Sequence, residues 1–220
     1  MSKDSFEQRL AAIHRKNCEM MPTPLLAVIQ KTAVLLKRSG IEQSSLQVGE
    51  SVADFTFSSP FSKPFSNEGR AQTTLYQLLE TAPVIINFFR GFWCTYCREE
   101  LAEYQQVIPQ LLHHKKNHYM AVSPQQIIGE EVNQAQCHLV IDDQLAIART
   151  FGIVYPVPEA EQALFGHFGM SLPKVNKTPQ WELPIPATYV INQQRQVQFR
   201  SVNADFRHRL DPNDLLTIIG

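Results

Sequence analysis

No apolar run in this 220-residue chain approaches the ~20 residues needed to cross a bilayer. The opening MSKDSFEQRL lacks the charged-then-apolar layout of a secretory leader, so a cytoplasmic address is expected and no membrane partner. Glycine is scarce, at 9 residues, and with 14 prolines and 44% hydrophobic residues the composition excludes collagenous, low-complexity and disordered chains. An excess of either charge is also missing: 20 Lys plus Arg face 21 Asp plus Glu, a net charge of −1 that gives no reason to expect nucleic acid as a partner. Cysteine is too rare, at four residues, for a disulfide-built scaffold, yet two of the four, Cys94 and Cys97, form a C-x-x-C.

What is present reads as an α/β protein. Residues 1–45 form a helical arm: Phe6, Leu10 and Ile13 make one stripe, and an apolar run from Leu25 to Leu36 makes a second helix, capped by Thr23, opened by Pro24 and closed at Gly40. Residues 46–220 form the main domain. Val52 to Phe57 is β-prone, a short helix covers Thr74 to Leu79, and VIINFF at 84–89 has the length and uniform apolarity of a central strand buried on both faces. A helix from Arg98 to Lys116, containing Pro109, leads to strands at Tyr119–Val122 and Leu139–Ile141. Helical segments at Gln125–Gln134 and Gln144–Phe151 accompany them. This alternation implies parallel crossovers, whereas Thr188–Asn192 and Gln196–Val202 read as an antiparallel hairpin before a last helix opened by Asp211-Pro212.

The chemistry concentrates at Cys94 and Cys97. A thiolate is the reactive form of cysteine, and a helix N-terminus stabilises it through unpaired N–H groups and the dipole. Cys94 falls where the strand has ended and the helix begins; Cys97 lies about one turn further. That spacing lets one sulfur attack a substrate and the other resolve the mixed product. A zinc half-site would need His113 and His114, which lie at the far end of the same helix, so no metal or other cofactor is expected.

The segments FFRGFWCTYCREE, VGESVADFTF and WELPIPATYVIN resemble the peroxiredoxin-like branch of the alkyl hydroperoxide reductase and thiol-specific antioxidant family. The resemblance spans about Gln47 to Ile219. It implies a thioredoxin-like (peroxiredoxin-like) sheet flanked by helices. It also implies an antioxidant oxidoreductase that reduces hydrogen peroxide or organic hydroperoxides through a redox-active disulfide, with a dithiol reductant such as thioredoxin. Peroxiredoxins proper carry Pro-x-x-x-Thr-x-x-Cys and a distant Arg. Aligning Cys97 with their attacking cysteine puts Cys94 at the Thr, Arg90 at the Pro and Pro186 at the distant Arg. These replacements look like thioredoxin, so a protein or small-molecule disulfide is the alternative substrate, and a redox sensor or binding module a third reading. The attacking sulfur is expected to be Cys94.

Supporting roles are expected for Arg90, as an electrostatic aid to a thiolate or oxyanion, for Trp93, as a shield over the sulfur, and for Pro186, whose bond to Ile185 the thioredoxin likeness implies to be cis and beside the cysteine pair. Asn87 lies one residue from where thioredoxins place a buried proton-relaying Asp. Glu99 and Glu100 read as first-turn acids suiting the helix dipole, and Arg195, Arg200, Arg207, His208 and Arg209 as a solvated cluster. Cys18 and Cys137 read as buried or inert, and the oligomeric state is left open, a dimer being compatible.

Overall fold

The computed structural model describes residues 4–58, 72–115, 117–126 and 138–219. Helices α1 (Phe6–Met20), α2 (Thr23–Arg38) and α3 (Ile41–Ser44) come first. Strands β1 (Thr56–Ser58) and β2 (Gln72–Thr74), helix α4 (Leu75–Leu79), strand β3 (Val84–Phe88) and helix α5 (Thr95–Lys115) follow. After them run β4 (His118–Ser123), β5 (His138–Ile141), α6 (Ala146–Thr150), β6 (Val154–Pro156), α7 (Glu159–His167), α8 (Leu172–Asn176), β7 (Glu182–Pro184), β8 (Ala187–Ile191), β9 (Val197–Val202) and α9 (Asp214–Ile218).

The main sheet has the order β5-β4-β3-β8-β9. Its β3–β4 and β4–β5 pairs are parallel, and β3–β8 and β8–β9 antiparallel. The run 84–89 is thus the central strand the sequence predicts, with every residue of β3 buried. Because successive side chains alternate, Val84, Ile86 and Phe88 join one apolar cluster with Phe151 and Tyr189, while Ile85 and Phe89 join another with Tyr104, Ile108 and Leu111 of α5. Asn87 points to the α5 side, so a polar group is committed to the layer that carries the cysteines.

The arm is anchored at both of its long helices. Ser5 and Gln8 form a capping box at α1, whose Phe6 and Leu10 are buried in the α5 cluster, and α2 packs on α7. Thr23 does not cap α2: Pro22 takes the cap position, its carbonyl accepting from the N–H groups of Leu25 and Leu26, and Thr23 is the first helical residue. Gly40 is left-handed, with φ of +75°, as the helix stop requires. The expected helix 125–134 lies mostly outside the described residues, as does Cys137. Of the β-prone run 52–57 the end is strand, in β1, whereas β2, the β6–β7 pair and helices α3, α7 and α8 are additions to the sequence reading. Among the described residues no helix is long and apolar enough to cross a membrane.

Candidate active site

Between β3 and α5 the chain makes a tight loop, Phe89 to Trp93, that delivers Cys94 to the N-terminus of α5. Gly91 permits it. At φ of +150°, a Cβ on Gly91 would lie 2.4 Å from Trp93 Nε1 and 2.6 Å from Gln125 Oε1. The loop is held by Phe92 N–H donating to Gln125 Oε1 at 2.6 Å and by Cys94 N–H donating to the Gly91 carbonyl at 3.1 Å. Helix α5 begins at Thr95, earlier than the sequence pattern indicates, so Cys94 stands at the cap and Cys97 within the first turn. Both thiols are free and buried, Cys94 5% exposed and Cys97 0%.

The two sulfurs have opposite electrostatic fates. The Cys97 thiol donates to Cys94, and this bond is the largest influence holding the Cys94 thiol down, at about 5. Burial opposes it, while the charges of Arg90 and Arg209 and the Cys97 backbone N–H help. Burial pushes the Cys97 thiol well up, and its commitment as donor to a neighbouring thiolate adds to the rise. The pair therefore holds one thiolate and one proton, the charge at the outer sulfur.

Arg90, for which an electrostatic role is expected, is buried. It is 3% exposed, and its Nη2 donates to Glu161 Oε1 of α7 at 3.1 Å. Its guanidinium lies 4.9 Å from the Trp93 ring centroid and 4.2 Å from that of Phe206. Trp93 meets Phe165 edge-on at 5.4 Å, walling the Cys94 side.

Arg209 corrects the sequence reading most. Expected in a solvated cluster, its side chain is 2% exposed; Nη1 pairs with Glu100, and Nη2 donates to Cys97 Sγ at 3.4 Å. Glu100 is likewise no surface acid. It is buried, accepts from Asn87 Nδ2 at 3.2 Å, and burial pushes its carboxyl up to about 7 against the pull of Arg209. Asn87 Nδ2 also donates to Thr188 Oγ1 at 3.3 Å, which lies 3.0 Å from the Tyr104 hydroxyl. A buried polar chain thus runs from the central strand through Glu100 and Arg209 to Cys97. The rest of the basic cluster matches expectation better: Arg207 and His208 pair with Asp205, Arg200 donates to the Glu42 carbonyl, and Arg195 lies over Tyr76.

Pro186 is a second correction. The Ile185–Pro186 bond is trans, since no cis peptide occurs among the described residues. The physical reason is local. Ile185 N–H donates to the Ile153 carbonyl at 2.8 Å and Ala187 pairs with Phe88, so the chain is held extended on both sides of the proline, which the ordinarily favoured trans bond continues. That register still puts Pro186 at the end of the sheet from which the Cys94 loop departs.

A mainly apolar cavity of about 290 Å³ opens on Cys94 between the arm, α7 and the residues around Phe206. Cys97 is not among its lining residues. Cys18, on α1, is exposed, with its sulfur 3.7 Å from His14 Nε2.

The AhpC/TSA family model matches residues 48–200. Sequence comparison with curated proteins returns no match. Solved structures that share the fold include the following three. Peroxidoxin BcpB from Mycobacterium tuberculosis is 16% identical, with a TM-score of 0.55 over 79% of this chain and 96% of its own. A Burkholderia cenocepacia protein provisionally named a thioredoxin reductase is 15% identical, with a TM-score of 0.61 over 79% and 97%. Reduced Prx3 from Vibrio vulnificus, solved in complex with hydrogen peroxide, is 13% identical, with a TM-score of 0.58 over 78% and 94%. Arg209 lies beyond the matched span, and the arm, residues 1–45, lies wholly before it. With more than half of its length matched and its paired thiols at the head of α5, the chain belongs to the AhpC/TSA family and is a thiol-dependent peroxidase.

Proposed function

We propose that Cys94 is the attacking thiolate, that Cys97 resolves it, and that a thioredoxin-type dithiol restores the pair. The observation that carries this reading is the placement of the sulfurs: Cys94 stands at the cap of α5 and lines the cavity, while Cys97 lies in the first turn and does not; the bond from Cys97 lowers the Cys94 thiol, and burial raises that of Cys97. In the first step the Cys94 thiolate attacks the terminal oxygen of the peroxide. An S–O bond forms, the O–O bond breaks, and the departing oxygen leaves as water or an alcohol after taking a proton from solvent. Sulfur is oxidised by two electrons to a sulfenic acid. Cys97 then attacks that sulfur, its proton leaving with the hydroxyl as water, and the Cys94–Cys97 disulfide results. Two electrons from the external dithiol reopen it. Arg90, buried beside the thiolate, and the backbone donors of the first turn favour the negative charge that passes from sulfur to oxygen.

Direct exchange with protein disulfides is the second reading. A low thiol pKa at a helix cap with a protonated partner inside the helix also suits that chemistry. Rapid mixing separates the two. The reduced protein is mixed with hydrogen peroxide and, separately, with a protein disulfide, and the second-order rates are compared. The peroxidase assignment predicts the faster reaction with peroxide, followed by a linked Cys94–Cys97 peptide pair in the mass spectrum. Faster reaction with the protein disulfide would transfer the assignment to the second reading.

A further inference from the structure

One buried guanidinium serves two acceptors. Arg209 Nη1 donates to Glu100 Oε2 and Nη2 to Cys97 Sγ at 3.4 Å, and all three side chains are buried. Residues 97 and 100 are three apart at the start of α5, neighbours on one helix face, so the cation gathers two groups that already stand together. Charge balance limits what this cluster can hold. With Glu100 and Cys97 both ionised, two negative charges are buried against one cation; with both protonated, Arg209 is buried without compensation. Either is costlier than one charge and one proton divided between carboxylate and thiol.

The other groups around Glu100 do not compete for that proton. Tyr104, on the next turn of α5, has its hydroxyl at Thr188 of β8, and burial pushes its phenol up, so it keeps its own proton. Asn87 of β3 donates to Glu100 Oε1 and does not titrate. Glu99 and Glu103 of the same helix turn to Arg9 of the arm. In the resting protein the proton stays on Cys97 because the thiol donates it to the Cys94 thiolate. Oxidation of Cys94 to the sulfenic acid removes that thiolate, and with it the bond that pins the proton.

We propose that Glu100 is the proton acceptor for the inner thiol, held to Cys97 by Arg209, and that oxidation of Cys94 is the event that releases the proton to it. This rests on the peroxidase reading, with Cys94 attacking and Cys97 resolving. The Cys97 S–H proton passes to Glu100, and the electron pair left on sulfur forms the bond to Cys94 Sγ. The Cys94 S–O bond breaks, and the hydroxyl leaves as water with a proton from solvent in the cavity. When the external dithiol attacks Cys94, the S–S electron pair returns to Cys97, which leaves as a thiolate beside Arg209 and takes back the proton Glu100 holds. The overall balance is the one given above, and Arg209 stabilises the inner sulfur as nucleophile and as leaving group.

The test uses the full chain, reduced, with hydrogen peroxide over a range of concentrations and no donor. Stopped-flow tryptophan fluorescence follows oxidation of Cys94 and then closure, the phase whose rate does not depend on peroxide. Peptide mass spectrometry of quenched samples assigns that phase to the Cys94–Cys97 disulfide. Because Glu100 accepts a proton only when ionised, the closure rate is expected to rise about tenfold per pH unit below a midpoint of about 7 and to level off above it. Glu100→Gln is expected to abolish that midpoint, slow closure near neutral pH at least ~10-fold, and leave a rise only in the alkaline range where Cys97 ionises unaided. Glu100→Asp restores a carboxyl and is expected to bring back an inflection near neutral pH, which a merely structural role would not give. Glu99→Gln, at the neighbouring acid that faces Arg9, controls for charge on the helix and is expected to keep the wild-type midpoint. Should Glu100→Gln fold poorly, the wild-type profile still decides. A wild-type closure rate that is flat across neutral pH, or a midpoint that Glu100→Gln leaves in place, overturns the role of Glu100 while the peroxidase assignment stands. A closing phase without the Cys94–Cys97 disulfide, or no reaction with peroxide, removes the reading beneath it.

Discussion

Replacing Cys97 by Ser should leave a protein that reacts with peroxide once and then stops. The serine hydroxyl still offers Cys94 a donor, so the first oxidation is expected within about tenfold of the wild-type rate, and a sulfenic acid trapped at Cys94 should accumulate. Sustained turnover with a dithiol should disappear, because no neighbouring thiol remains to form the disulfide. Cys94→Ser should behave in the opposite way. It loses the only thiol among the described residues that lines the cavity, and the remaining one is held protonated by burial, so the peroxide reaction should fall at least ~10³-fold. Stopped-flow rates with sulfenic-acid trapping on both variants check this. A trapped sulfenate at Cys97 in Cys94→Ser, formed near the wild-type rate, would assign the attack to the inner sulfur.

The second large effect belongs to Arg209. Removing one member of a buried ion pair leaves the other without compensation, which costs ~3–5 kcal/mol in comparable sites. For a chain of this size the low end of that range corresponds to a fall in Tm of ~6–12 °C. Arg209→Ala should show it, together with slower closure of the disulfide, since Cys97 Sγ loses its charged donor. Glu100 limits the damage. Its carboxyl already titrates at about 7, so without Arg209 it takes up a proton rather than standing as a bare charge. Adding Glu100→Gln to Arg209→Ala should therefore cost little more, and the two changes should be markedly non-additive. Thermal unfolding of both single variants and the double variant measures this coupling, and strict additivity would mean that the two side chains do not act as a unit.

The contrast between the cysteine pair and Arg209 reflects what a sequence displays. The strand 84–89, the helix after it and the cysteines at their junction are local features: an apolar run, a 3.6-residue period and a spacing of three can be read within a window of about a dozen residues. The hairpin of β8 and β9 is legible for the same reason, with two β-prone runs around a short polar turn. Arg209 leaves no such trace, since it reaches Cys97 across a separation of 112 residues and its neighbours Arg207 and His208 do sit in a polar, partly solvated turn. Glu100 follows Glu99 in a first helical turn, where an acid is expected for the dipole alone; only the placement of Asn87 and Arg209 shows that one of the two faces inward. The pairing of Arg90 with Glu161 is hidden similarly, because α7 has little amphipathic pattern and lies between two strands, β6 and β7, of three residues each, which carry too few positions to show alternation. The trans geometry before Pro186 is set by pairing on both sides, not by the residues themselves.

The chemistry at the site turns on one division: the proton and the charge are shared out between Cys94 and Cys97, with the charge on the sulfur that meets the cavity. The most direct measurement is the pH dependence of iodoacetamide alkylation in the reduced wild-type protein, followed at each cysteine separately by peptide mass spectrometry. Thiolate fraction rises with pH through the pKa, so a thiol held at about 5 is almost fully ionised at neutral pH, and its alkylation rate should reach half of its plateau near pH 5. Cys97 should remain unlabelled until the solution is strongly alkaline. A Cys94 midpoint above about pH 8, close to that of an unperturbed thiol, or labelling of Cys97 at the lower pH of the two, would contradict the assignment of Cys94 as the attacking thiolate.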